Sequence, residues 1–259
     1  MSSILAGSAN ISVGGLVDRL LQYKGVTMEI NIEKFRHRNW YVKYFSCEKY
    51  AEEFYNFGRM QFCPLKYFIG LENKGRGDSE EGKITGAGIL YYKEPNQIKY
   101  SKLTVYQSLR GNTQSLVYCI SNLPKYTYAG DTFLIDPKIY DDFGENVNEV
   151  FAVFIDKEYF HKRLFSFCTE RSIKLAYDKV LYDDNEIAPS EVIKILGNQS
   201  HRHYFKKPTK YRHQCEFRYV VGNDTQDFIE KTQAQKTKNG YTIDIGCLHE
   251  FSFLAKIVR

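Results

Sequence analysis

The apolar residues of this chain fall in short aromatic and β-branched runs, and helix-period patterns interrupt them only irregularly. Trp40-Tyr41-Val42-Lys43-Tyr44-Phe45 is the clearest run and predicts a strand. Further strands are predicted at 60–63, 89–92, 99–106, 116–121, 150–155, 175–182, 215–221, 241–245 and 252–258. Helices are predicted at 47–57, 157–170 and 189–196. In the first, Ser46 would cap the start, Gly58 would close the end, and Tyr50, Ala51, Phe54 and Phe57 would make one buried face. A turn or short helix follows Pro64 through Leu71. Residues 72–88 read as a polar, Gly-rich loop, 122–148 as a turn-rich connection, 201–213 as a basic irregular stretch, and 223–240 as an exposed polar excursion.

Strands therefore outnumber helices and do not alternate with them. That predicts an α+β fold, with a mixed, mainly antiparallel sheet and flanking helices, rather than a doubly wound parallel sheet. No linker interrupts residues 28–259, which read as a single catalytic or binding domain. Residues 1–27 are rich in Ser, Gly and small apolar side chains and read as an N-terminal arm.

No run approaches the roughly 18 consecutive apolar residues of a membrane helix. The N-terminus lacks the basic, apolar and small-residue order of a signal peptide. The expected compartment is the cytoplasm, with no membrane partner. The cysteines at 47, 63, 119, 168, 215 and 247 form no C-x-x-C or finger spacing, so reduced, mostly buried thiols are expected. His201 and His203 would share a strand face, with His213 further on, but no carboxylate or cysteine completes a site. No metal is expected.

The 259 residues include 21 Tyr and 18 Phe against one Trp, with a formal net charge of +5. Flat tyrosine rings and mild positive charge suit a nucleotide or nucleic-acid ligand. An AT-rich genome produces the same bias, so composition does not decide.

Two motifs carry candidate chemistry. In Arg76-Gly77-Asp78-Ser79-Glu80-Glu81-Gly82, Asp78 and Glu81 stand three apart between glycines and beside an arginine. A carboxylate there could stabilise a developing cation or activate water. Arg76 could hold a phosphate or the carboxylate itself. On composition alone a solvated loop with an internal Arg–Asp pair is the stronger reading. The loop lacks the Gly-Lys-Ser/Thr of a phosphate-binding Walker motif, and no G-x-S-x-G elbow exists for a serine nucleophile. In the second motif, Glu216 and Arg218 would point to one strand face, and Cys215, Phe217 and Tyr219 to the other. Such a pair is either solvent-exposed or lines a site. The preceding Lys206, Lys207, Lys210 and Arg212 could meet phosphates or form a solvated surface.

The block Phe45…Tyr50-Ala51-Glu52-Glu53-Phe54…Gly58-Arg59-Met60-Gln61-Phe62…Leu65-Lys66-Tyr67-Phe68…Glu72…Arg76-Gly77-Asp78…Glu81-Gly82 resembles the opening of a widespread family of bacterial and phage proteins. Phe205-Lys206-Lys207…Tyr211…Glu216-Phe217-Arg218 and Ile243-Asp244-Ile245-Gly246-Cys247-Leu248 look like the same family's C-terminal half. The resemblance implies a phage-defence or mobile-element setting. It also implies kinship to ADP-ribosyltransferase-like folds, in which a strand-borne glutamate assists cleavage of a nicotinamide ribosyl bond. Glu216 is the residue that carries over. Where that fold has Arg or His on its first strand, this chain has Tyr41, Lys43 and Tyr44.

The expected function is cleavage of an N-glycosidic bond, either by a DNA glycosylase acting on a plain or modified base or by an NAD-cleaving enzyme. Asp78, Glu81 and Glu216 are the catalytic candidates. Arg76, Tyr44, Lys206, Lys207, Arg212 and Arg218 are the substrate-binding candidates. No resident cofactor is expected; NAD would be a substrate and DNA a partner. The alternative is a non-catalytic nucleic-acid-binding or inhibitor protein.

Overall fold

Trp40 and Val42 point to one side of an extended strand and Tyr41 to the other, so a sheet built on this strand must be covered on both faces. The computed structural model describes residues 9–12, 39–69, 71, 83–94, 97–108, 115–123, 128–129, 132–136, 138–144, 147, 149–185, 191, 194, 201–221 and 225–258. In chain order the strands begin with β1 (Ala9–Ser12), β2 (Trp40–Phe45), β3 (Arg59–Pro64), β4 (Lys83–Glu94), β5 (Gln97–Ser108) and β6 (Leu116–Asn122). Next come β7 (Tyr128–Ala129), β8 (Thr132–Ile135), β9 (Glu149–Asp156), β10 (Ala176–Lys179) and β11 (Leu181–Tyr182). The last are β12 (Lys206–Lys207), β13 (Glu216–Val220), β14 (Gln235–Lys236), β15 (Tyr241–Asp244) and β16 (Ser252–Val258). The helices are α1 (Glu48–Phe57), α2 (Leu65–Ile69), α3 (Lys138–Asp141), α4 (Lys157–Glu170) and α5 (Thr225–Thr232). Among the described residues no helix is long and apolar enough to cross a membrane.

A nine-stranded sheet runs β14-β15-β3-β6-β2-β9-β16, with β13 added on β6 and β10 on β13. Its pairings are antiparallel, while β11 and β12 pair in parallel beside it. The fold is α+β and mainly antiparallel, as the irregular alternation of strands and helices predicts.

β2 and β3 form a fork on one edge of β6. Tyr41 and Val42 pair with Asn122 and Ser121, Cys63 and Pro64 pair with Val117 and Leu116, and β13 occupies the other edge. Lys43 reaches into the fork and donates from Nζ to the Cys119 carbonyl at 2.6 Å. Its charge lies 4.7 Å from the Tyr118 ring centroid.

Alternation builds a core on each face. On one, Tyr41, Phe62, Tyr118, Phe217 and Tyr219 pack beneath Phe54 of α1, Phe160 and Leu164 of α4, and Phe228 of α5. On the other, Trp40, Val42, Ala152 and Phe154 meet Ile139 of α3. A smaller cluster of Leu65, Val117, Tyr204 and Val220 continues that second face. Each fully buried Phe or Leu contributes about 1.5–3 kcal/mol.

Gly58 closes α1 as expected, in the left-handed region at φ 62°, with its N–H on the Glu53 and Phe54 carbonyls. A Cβ there would press on the Gly246 carbonyl, so both conformation and space call for glycine. At the other end, Cys47 rather than Ser46 is the N-cap, and no side chain caps the turn. Ala51 and Phe54 are buried, but Tyr50 and Phe57 are exposed, because the helix meets the sheet along one narrow ridge. α4 is better capped: the Asp156 carboxylate accepts from the Tyr159 N–H at 2.8 Å.

Several segments are more ordered than their composition predicts. Residues 83–88, expected in the Gly-rich loop, are strand, because pairing with β5 runs from Lys83–Ser108 to Glu94–Gln97. The connection 122–148 contains β7, β8 and α3. The strand expected at 175–182 breaks at Val180, whose N–H turns to the Glu216 carbonyl at 2.9 Å. The polar stretch 223–240 holds α5, anchored by the single buried aromatic Phe228. Residues 201–213 fold as 3-10 turns at Arg202–Phe205 and Thr209–Gln214, so His201 is exposed and His203 buried rather than sharing a face. Of 189–196, residues 191 and 194 are helical. The arm at 1–27, apart from β1, and the loop at 76–82 lie outside the described residues.

Candidate functional site

Strand alternation puts Glu216 and Arg218 on one face of β13, as predicted, and Phe217 and Tyr219 on the other. That first face is roofed by β11, β12 and the two 3-10 turns. The Glu216–Arg218 pair is therefore largely withdrawn from solvent: Glu216 is 13% exposed and Arg218 1%. Lys207, expected in a surface run, is 2% exposed. In the two-residue strand β12 Lys206 faces outward and Lys207 inward, which is what alternation imposes.

The three side chains form an ion triad. Glu216 Oε1 accepts from Lys207 Nζ at 2.8 Å. Its Oε2 accepts from Arg218 Nε and lies 2.8 Å from Nη2. The Glu216 N–H donates to the Tyr182 hydroxyl at 2.7 Å. Burial alone would raise the Glu216 carboxyl; Arg218 and Lys207 outweigh burial and hold it at about 2. Glu216 is thus ionised at neutral pH. Across the β6–β13 ladder from Arg218 stands Cys119. Burial, then the Glu216 charge, pushes its thiol up to about 11, so it remains protonated and a poor nucleophile.

The network continues in both directions. Lys207 Nζ donates to Gln214 Oε1 at 2.9 Å, and Gln214 Nε2 donates to Asp142 Oδ2 at 3.1 Å. Asp142 also lies 3.2 Å from His213 Nε2. Burial lowers the His213 pKa, but the hydrogen bond and charge of Asp142 overcome it and the net shift is upward. On the other side Arg218 Nη1 donates to the Tyr204 carbonyl at 2.7 Å, and the Tyr204 hydroxyl meets Ser115 Oγ at 2.6 Å. Asp142, Ser115, Tyr182, Tyr204 and Gln214 have no motif of their own. The Glu216–Arg218 spacing and the preceding Lys207 are the signals in the sequence that point here.

The remaining candidates do not join this triad. Lys206 bonds the Asn185 carbonyl and pairs with Asp183. Arg212 is exposed. Tyr44 lies on the triad's face, since Val42 is opposite Ser121 and Ser121 opposite Glu216. It sits two residues further along β2 and packs on the Trp40 cluster instead. Arg76, Asp78 and Glu81 lie outside the described residues.

All six cysteines are free thiols; Cys63 and Cys168 are buried, Cys119 and Cys215 half-buried, and Cys47 and Cys247 exposed. Burial is thus less general than the apolar context predicts, because Cys47 sits at a helix start and Cys247 in the irregular segment after β15. Among the described residues no group of three or more His, Cys, Asp or Glu side chains could hold a metal ion. Compared with protein-family models, curated proteins and solved structures, the chain gives no match.

Proposed function

We propose that this protein cleaves an N-glycosidic bond in a nucleotide or nucleic acid, with the Glu216 carboxylate facing the sugar cation. The observation that carries this reading is a strand-borne glutamate whose two carboxylate oxygens are held by the buried Lys207 and Arg218, which keep it ionised. In such a reaction the C1′–N bond breaks and its electron pair leaves on the base. Positive charge then develops on C1′ and the ring oxygen. A fixed carboxylate stabilises that charge without reorganising. Water, or an acceptor hydroxyl, then adds at C1′, and its proton passes to the departed base, or to solvent where the base leaves neutral as nicotinamide does. The family resemblance adds the phage-defence setting and the role of strand glutamates in ADP-ribosyltransferase-like folds.

A second reading is a non-catalytic nucleic-acid-binding protein. It is favoured by the commitment of both Glu216 oxygens to Lys207 and Arg218, and by the exposure of Arg202, Lys210 and Arg212 on the roof. Incubation with NAD, with plain DNA and with phage-modified DNA, read by mass spectrometry, separates the two. Released nicotinamide or free base supports the enzyme. Salt-dependent DNA binding without any released base supports the binding protein.

A further inference from the structure

The sheet face opposite the triad carries a second group of polar side chains. Lys157 opens α4, and His161 and Phe165 follow at successive turns on the same side. Beneath them, alternation along β10 brings Tyr177 and Lys179 to this face, beside Phe217 and Tyr219 of β13. His161 Nε2 lies 2.7 Å from the Tyr41 hydroxyl, and Nδ1 lies 3.4 Å from the Tyr219 hydroxyl. The imidazole is therefore fixed at both nitrogens. Burial, then Lys157, lowers its pKa to about 4, so it is neutral at pH 7.

Lys157 Nζ stands 5.2 Å from the ring centroids of both Tyr41 and Phe217. Among the described residues no carboxylate pairs with it. The adjacent Asp156 carboxylate accepts from the Tyr159 N–H, and Asp178 on β10 is turned to the Arg218 side. The charge that acts on Lys157 is another cation, Lys179, which adds to burial in lowering its pKa. Tyr177 packs on Phe165 with ring centroids 4.9 Å apart, yet remains 50% exposed. Among the described residues, two ammonium groups without a carboxylate partner thus border the half-exposed Tyr177 ring on β10. A half-buried cation of this kind costs desolvation energy that a bound anion recovers. Exposed tyrosine supplies a stacking surface for a planar ring.

We propose that Lys157, Lys179 and Tyr177 bind a nucleotide unit, with the phosphate between the two ammonium groups and the base stacked on Tyr177. This site lies on the other face of the sheet from Glu216 and requires no bond cleavage. The unit is a free nucleotide or one residue of a single strand.

The full chain is titrated calorimetrically with AMP and, separately, with a short single-stranded oligodeoxynucleotide. Binding of AMP alone identifies a free-nucleotide site; binding of the strand, with or without AMP, identifies a nucleic-acid contact. Lys157→Gln is expected to weaken binding about tenfold or more, and Tyr177→Ala by a comparable factor. Lys256→Gln, an exposed lysine elsewhere, leaves it unchanged. Bound phosphate also raises the His161 pKa, followed by its ring proton shifts in NMR. If Lys157→Gln fails to fold, the exposed Lys179→Gln and Tyr177→Ala carry the test. The proposal is overturned if wild type binds neither probe, or if the Tyr177 and Lys179 variants bind as wild type does.

Discussion

Glu216 and Arg218, two residues apart on one strand, hold a carboxylate–guanidinium pair at 2.8 Å with Arg218 almost wholly withdrawn from water. Removing Arg218 leaves Glu216 Oε2 buried without its partner, while Oε1 keeps Lys207. Arg218→Met is expected to destabilise the fold by about 3–5 kcal/mol, measured by urea unfolding. Replacing Lys207, Glu216 and Arg218 together with apolar residues of similar volume should cost less than Arg218→Met alone. A triple variant that is worse than the single one would contradict this account of the triad.

The pH dependence of stability follows from the same carboxyl. Its folded pKa, about 2, lies below the ordinary 4.5. Its contribution is therefore present above about 4.5 and is lost as pH falls toward 2. The size is on the order of 3 kcal/mol. Glu216→Gln should flatten the acid limb of stability against pH, read from thermal melts. An unchanged acid limb would mean that Glu216 is not the group that titrates.

Two histidines act in a neighbouring window. His161 and His203 are both lowered to about 4, chiefly by burial. Between the ordinary 6.5 and 4, the unfolded chain binds more protons than the folded one. Stability should thus fall as pH drops through that interval. His161→Phe is expected to reduce the slope there, and to leave the more acidic limb set by Glu216 in place.

Gly58 offers a test of the α1 junction. Gly58→Ala imposes a left-handed conformation on a residue with a Cβ and drives that Cβ against the Gly246 carbonyl. A loss of more than about 1 kcal/mol in chemical denaturation is expected. A neutral effect would show that the junction between α1 and residues 245–246 rearranges freely.

Much of the scaffold was legible because period and length agree locally. β2, α4 and β16 occupy the residues that their sequence patterns predict. What local pattern misses is set by distant partners. The β4–β5 ladder carries Gly86 and Gly88 into a strand that their own propensities disfavour. Phe228, with Ile229 and Ala234 beside it, anchors a helix in a stretch that is otherwise mostly polar. At the site, alternation correctly paired Glu216 with Arg218. It could not reveal that Lys207 turns inward to Glu216, since that contact depends on how the 3-10 turns fold over the sheet. Gln214 and Asp142 were invisible for the same reason: they are 72 residues apart and meet only in the folded chain.

Turnover by Glu216→Gln against wild type separates a carboxylate that serves N-glycosidic bond cleavage from one that only holds the fold. Each protein is incubated with NAD, plain DNA and phage-modified DNA, and nicotinamide or free base is quantified by mass spectrometry, with circular dichroism confirming that the variant is folded. Wild type is expected to release base or nicotinamide from one of these substrates, and the folded variant to lose about 10²–10³-fold. Release by the variant at the wild-type rate, or no release by wild type from any substrate, would contradict it.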